Sequence, residues 1–162
     1  EAGYKGEKIQ LVGERGRWLK DGETVETVGQ MLRDAGFNIE IQMLSFQSWL
    51  GVLFDRPKAP DMIFTNHSND IFDADRTFST FIHSKGPASS YPDTLDSKIE
   101  QARSELDPAK RQALYEEIGQ TAYDTAAWIP LVNIKDIYGM QKFVEWQPRE
   151  DQRLTVFEMT LQ

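Results

Sequence analysis

Residues 28–44 read VGQMLRDAGFNIEIQML, and the change of period inside this stretch decides the fold class. Val25, Val28, Leu32 and Ala35 recur at three- and four-residue spacing, the stripe of one helix face. Gly36 stands where a left-handed residue ends such a helix. From Asn38 the period falls to two. Ile39, Ile41 and Met43 take one side and Glu40 and Gln42 the other, as in a half-buried strand. Working outward, KIQLVG at 8–13 alternates in the same way and predicts an earlier strand, with ERGRW at 14–18 as a loop. FQSWLGVLF at 46–54 predicts a short helix, and APDMIFTN at 59–66 a third strand. Strand, helix, strand, helix, strand implies a largely parallel sheet with crossover helices.

The second half reads as helical. Leu95, Ile99, Ala102 and Leu106 mark one amphipathic helix. In DPAKRQALYEEIGQTAYDTAAW at 107–128, Asp107 is placed as N-cap and Pro108 at the first helical position. Leu114, Ile118 and Ala122 are its expected buried stripe, Trp128 an expected core residue and Pro130 its expected stop. IPLVNIKDIYGMQ at 129–141 predicts one or two strands returning to the sheet, and the apolar alternation that closes the chain a final strand.

A chain of 162 residues supports one ordinary domain. Hydrophobic residues at 40% and aromatics at 11% supply a core and exclude a disordered composition. The net charge of −8 excludes a broad basic footprint for nucleic acid or anionic lipid. The absence of cysteine excludes disulfides, thiolate nucleophiles and zinc–thiolate sites. No run of apolar residues has the length of a membrane helix. The first residues are charged, without an apolar signal core or an initiator Met, so a piece of a longer protein is expected.

One cluster asks for a chemical explanation. HSNDIFDADRTF at 67–78 places three aspartates, a histidine and an arginine directly after an apolar strand. His67, Asp70, Asp73 and Asp75 offer hard metal ligands, yet the spacing lacks the glycine and distal glutamate of a calcium loop. No second histidine lies near for zinc or nickel, so no metal and no cofactor is expected. Nothing supplies a nucleophile elbow, and GERGRW at 13–18 lacks the ending of a phosphate loop. Asp73 fits an N-cap and Asp75 a first-turn position of a helix carrying Phe78, Phe81 and Ile82. Asp70 reads either as a loop-capping residue or as a ligand anchor. His67 reads either as a hydrogen-bonding loop residue or as a planar group stacked on a solute. Arg15, Arg17 and Trp18 belong either to a solvated loop or to a ligand cleft at a strand's C-terminal end.

Four stretches in order carry a family likeness. DPAKRQALYEEIGQTAYDTAAWIPLV at 107–132 resembles a segment of the extracytoplasmic solute-binding proteins of ABC importers, in the family-5 peptide/nickel group. AGYKGEKIQLV at 2–12, VGQMLRDAGFNIEIQML, and APDMIFTNHSNDIFDADRTFSTFIHSKG at 59–86 are similar to other segments of the same family. The resemblance implies an α/β lobe of periplasmic-binding-protein type II, with a mixed sheet flanked by helices. It implies that residues 1–162 form a single C-terminal lobe of a larger two-lobed protein. The implied activity is capture of short peptides or related amine-bearing solutes for import, without catalysis, in the periplasm or another extracytoplasmic space. The implied partners are the N-terminal lobe of the same protein and the ABC permease membrane subunits. By the same resemblance the position that binds a ligand's ammonium group falls on Asp70, and the family's Gly-Trp positions fall on Asn66 and His67. The alternative of another class is a small α/β hydrolase or transferase using His67 with Asp70.

Overall fold

The structure, a computed structural model, describes residues 3–55 and 59–162. β1 (Lys8–Glu14), α1 (Asp21–Asp34), β2 (Asn38–Leu44), α2 (Phe46–Leu53) and β3 (Met62–Ile63) follow in the order that the periods predict. The strands pair in the order β2-β1-β3, both pairings parallel. β1 and β2 run in register from Lys8 with Asn38 to Glu14 with Leu44. β3 is the short element, joined to β1 through Leu11 with Met62 and Val12 with Ile63.

Each helix boundary has a local cause. α1 ends in a Schellman arrangement: Gly36 takes φ 96, its N–H donates to the Arg33 carbonyl, and Phe37 N–H donates to the Leu32 carbonyl. Ser45 caps α2, its hydroxyl accepting the N–H of Ser48. On one sheet face Leu11, Val25 and Ile39 form a buried core, with Val28, Leu32, Ile41 and Met43 packed against it. Gly29 of α1 faces Ile41 so closely that an added Cβ would stand 2.4 Å from its Cδ1, so glycine sets the helix-to-sheet distance. Val12 and, in α2, Trp49 are also buried.

The second half is a three-helix unit of α3 (Ala74–Phe81), α4 (Asp96–Ser104) and α5 (Pro108–Asp124). Asp107 caps α5 by accepting the N–H of Lys110 at 2.9 Å, and Pro108 opens it, as read from the sequence. Ile82, Leu95, Ile99, Ala102, Tyr115, Ile118 and Ala122 form its core, with Leu114 packed against them. Leu106 departs from its expected place and is 93% exposed, because α4 stops at Ser104 before that stripe position is reached.

The last stretch departs from expectation except at its end, where the expected final strand is present as a two-residue element. α5 ends at Asp124, ahead of Pro130, and residues 129–141 form no strand. The antiparallel pairing is instead a separate ladder of β4 (Val144–Glu145) and β5 (Thr160–Leu161). Trp128 is not in the core; it stands half exposed, edge-on to Phe81 with ring centroids 5.1 Å apart. Ile129, Val132, Ile137, Phe143, Leu154, Val156, Phe157 and Leu161 all face solvent.

Candidate functional site

Because β1, β2 and β3 are parallel, their C-terminal ends lie on one edge. Three chain segments leave that edge: residues 15–20, the start of α2, and residues 64–73. Open α/β sheets bind ligands there.

Aromatic contacts tie the first two segments together. Phe46 stacks on Trp49 with centroids 6.0 Å apart, and Trp18 meets Trp49 edge-on at 5.4 Å. The Arg17 guanidinium lies over the Phe46 ring, 4.9 Å from its centroid. The third segment is pinned by the Trp49 indole, whose Nε1–H donates to the Phe64 carbonyl at 3.1 Å. The loop itself is organised by Asp21. Its Oδ2 accepts the N–H groups of Gly16, Arg17 and Trp18 at 2.8–2.9 Å. Burial would push the Asp21 carboxyl up, but these bonds and that from Gly22 N–H hold it below the ordinary aspartate value.

The two arginines of this loop have different surroundings. Arg15 crosses Gly22 and pairs with Glu26 at 2.7 Å on the surface. Arg17 has no carboxylate within ion-pair distance among the described residues and stays on the aromatic shelf.

Asn66 and His67 follow β3 and are half buried. The His67 Nε2 lies 3.0 Å from the Thr77 hydroxyl of α3, and the ring meets Phe81 edge-on at 4.9 Å. Burial, with the nearby Arg76 charge, pushes this imidazole below its ordinary value, against the pull of Asp70. His67 is thus a positioned ring biased toward its neutral form. Asp70 is held otherwise: Arg76 Nε approaches its Oδ1 at 2.7 Å, and the pair is largely open to solvent. His67 and Asp70 therefore engage different partners, Thr77 and Arg76, and do not form the acid/base pair that a hydrolase would use.

Asp73 and Asp75 take the structural places expected of them. Asp73 caps α3 by accepting the Asp75 N–H at 2.8 Å and also accepts from Arg111 Nη2 at 2.7 Å. Asp75 joins all three helices: its Oδ1 accepts from Ser79 within α3, from Arg103 of α4 at 3.0 Å and from the Tyr115 phenol of α5 at 3.2 Å. Burial pushes the Asp75 carboxyl up, yet the Ser79 and Arg103 bonds, the Arg103 charge and the Tyr115 bond bring it below the ordinary value of 3.8. The Arg111 bond, with the Asp75 N–H, lowers Asp73 in the same direction. A lowered carboxyl contributes stability above its unfolded value and loses it as pH falls through the folded one. Asp75→Asn is therefore expected to cost about 1–3 kcal/mol at neutral pH, with the difference from wild type shrinking below 3.8. Thermal melts of both proteins at neutral and acid pH check this.

Sequence reading missed one residue at the strand edge. Glu14, the last residue of β1, is completely buried. The available signal was its place at the end of a central strand, where the neighbouring strands and helices cover both faces. Among the described residues no group of three or more His, Cys, Asp or Glu side chains is arranged to hold a metal ion. No helix among them is long and apolar enough to cross a membrane.

No protein-family model matches the sequence, and no curated protein matches it. Solved structures do match the fold. The ABC transporter substrate binding protein CtaP from Listeria monocytogenes aligns with a TM-score of 0.62 and 20% identity, over 77% of this chain and 26% of that one. The ABC transporter-associated periplasmic binding protein DppA from Helicobacter pylori, in complex with the peptide STSA, aligns at 0.63 and 20% identity, over 80% of this chain and 26% of that one. NikA from Brucella suis, in complex with Fe(III)-EDTA, aligns at 0.56 and 22% identity, over 74% of this chain and 25% of that one. Over most of its length the chain has the fold of a segment of family-5 solute-binding proteins. It spans about a quarter of the length of these structures. The α/β class and the parallel sheet flanked by helices are those of the matched segment. CtaP is a substrate-binding protein and DppA a periplasmic binding protein.

Proposed function

We propose that this chain is the C-terminal lobe of an extracytoplasmic solute-binding protein that captures short peptides or related amine-bearing solutes for an ABC importer. One observation carries the reading. The parallel strands end on one edge, and the segments that carry Arg17 with Trp18, Phe46, and Asn66 with His67 and Asp70 all leave from it. Such a set suits a zwitterionic solute with an apolar or planar part. Asp70 takes the ammonium group, its exposed pairing with Arg76 being worth only about 0.2–1 kcal/mol. Arg17 takes a carboxylate by charge-assisted hydrogen bonds. Trp18 and Phe46 supply an apolar shelf, and Asn66 and the His67 ring complete the polar rim.

A matching N-terminal lobe of the same protein supplies the other wall of the cleft. Closure of the two lobes about a hinge excludes water, strengthens these bonds and creates the form that docks on the permease. The solvent-facing apolar side chains from Ile129 to Leu161 fit a surface that the rest of the protein covers. The binding of the peptide STSA by DppA supports the solute class.

The experiment is calorimetry on the full-length protein with short peptides and their N-acetylated counterparts. Free peptides are expected to bind about tenfold or more tightly than acetylated ones, through loss of one charge-assisted bond. Equal affinities contradict an ammonium anchor.

A further inference from the structure

Glu14 occupies the edge where the proposed solute site lies, yet no solute contact explains it. It is fully buried, and no donor among the described residues reaches either carboxylate oxygen; the polar group beside it is the Asp21 carboxylate. An ionised carboxylate in such a place is strongly disfavoured, so the group holds a proton or recruits a cation.

Its surroundings define the choice. From α1 comes Asp21, whose oxygens are already engaged by the N–H groups of Gly16, Arg17, Trp18 and Gly22. From the intervening loop comes Arg17. β2 ends beside Glu14 at Leu44, α2 carries no ionisable residue, and β3 supplies only Met62 and Ile63. Burial pushes the Glu14 carboxyl up from the ordinary 4.5, the Asp21 charge and a hydrogen bond shared with the Asp21 carboxylate push it further, and Arg17 pulls it back. Of the two acids, Asp21 keeps the charge and Glu14 the proton.

Among the described residues Arg17 is the cation whose charge acts on Glu14, and the loop gives it two places to be. In this structure it lies over Phe46. The other is beside an ionised Glu14, which would give the carboxylate its missing partner. We propose that Glu14 is a proton-operated positioning residue: protonated, it leaves Arg17 on the Phe46 shelf at the solute edge, and ionised, it draws Arg17 and loop 15–20 inward. The consequence is solute capture favoured in acid and weakened as Glu14 ionises. That consequence rests on the reading of Arg17 as a solute contact; the switch itself is independent of any solute.

The test therefore uses no solute. The full-length protein is labelled with 5-fluorotryptophan, and the Trp18 signal is assigned with Trp18→Phe. Its fluorine resonance is followed from acid to neutral pH. The expected result is a transition centred above 4.5 in wild type and a flat profile, fixed at the acid position, in Glu14→Gln and in the apolar Glu14→Met. Thermal melts give the second readout. A raised carboxyl contributes stability below its unfolded value and loses it as pH rises through the folded one. Glu14→Gln should thus match wild type in acid and melt at a higher temperature at neutral pH. A Trp18 transition that survives both substitutions, or no transition in wild type, overturns the proposal. Failure of peptide binding with an intact Trp18 transition would instead count only against the solute reading.

Discussion

Replacing Ile118 with alanine is expected to remove about 2–5 kcal/mol of stability, the cost of emptying a fully buried aliphatic site. Ile118 is wholly buried in α5 and shares its cluster with Ile82 beyond α3, with Leu95, Ile99 and Ala102 at α4, and with Tyr115. The removed side-chain atoms leave a cavity between helices whose ends are already fixed by the Asp73 and Asp75 bonds, so the site closes poorly. That loss is a large part of the about 5–15 kcal/mol that holds a domain folded. Leu106→Ala is the control. The sequence places Leu106 and Ile118 on similar apolar stripes, but Leu106 is 93% exposed, and its truncation should stay within about 0.5 kcal/mol. Urea unfolding of both variants checks the pair. A loss below about 1 kcal/mol for Ile118→Ala would mean that α5 is not packed as described.

In the full-length protein, Asp70→Asn is expected to weaken solute binding about tenfold or more, since a charge-assisted bond contributes about 1.5–3 kcal/mol. The substitution keeps the side chain's shape and removes its charge. Arg76 also loses its partner, but that pair is exposed and contributes little. Asp73→Asn tests whether the effect belongs to position 70 or to acidity in general. Asparagine caps helices about as well as aspartate, so affinity should be nearly unchanged while the Arg111 bond weakens. Calorimetry separates the outcomes: equal affinities in both variants and wild type would remove Asp70 from the site.

These two predictions show where the sequence was readable. Local physics wrote α1, β2 and α5: a period, a capping residue, a glycine with positive φ at position 36. Asp73 and Asp75 were readable for the same reason, since a cap and a first-turn acid depend on adjacent backbone. Strands at 129–141 were not readable, because alternation gives a face but not a partner, and among the described residues that stretch pairs with none. Leu106 failed because a helix end cut the stripe one position short of burial. The candidate site was legible as an edge, through the order of strands, and His67, Asp70 and Arg17 could be named in the segments that leave that edge. Their partners were not, because the pairings with Thr77, Arg76 and Phe46 are tertiary contacts, two across ten and twenty-nine residues. Glu14 was hidden by its own chemistry: a glutamate before a loop reads as solvated until both faces of its strand are seen covered.

The proposed capture of a solute requires that the strand-end edge hold one. Mass spectrometry of small molecules released from purified full-length protein tests it most directly, with wild type compared to the Arg17→Gln, Asp70→Asn double variant. An amine-bearing solute or short peptide is expected to be released from wild type and to be greatly depleted in the double variant. The same solute at the same occupancy in both proteins would contradict it.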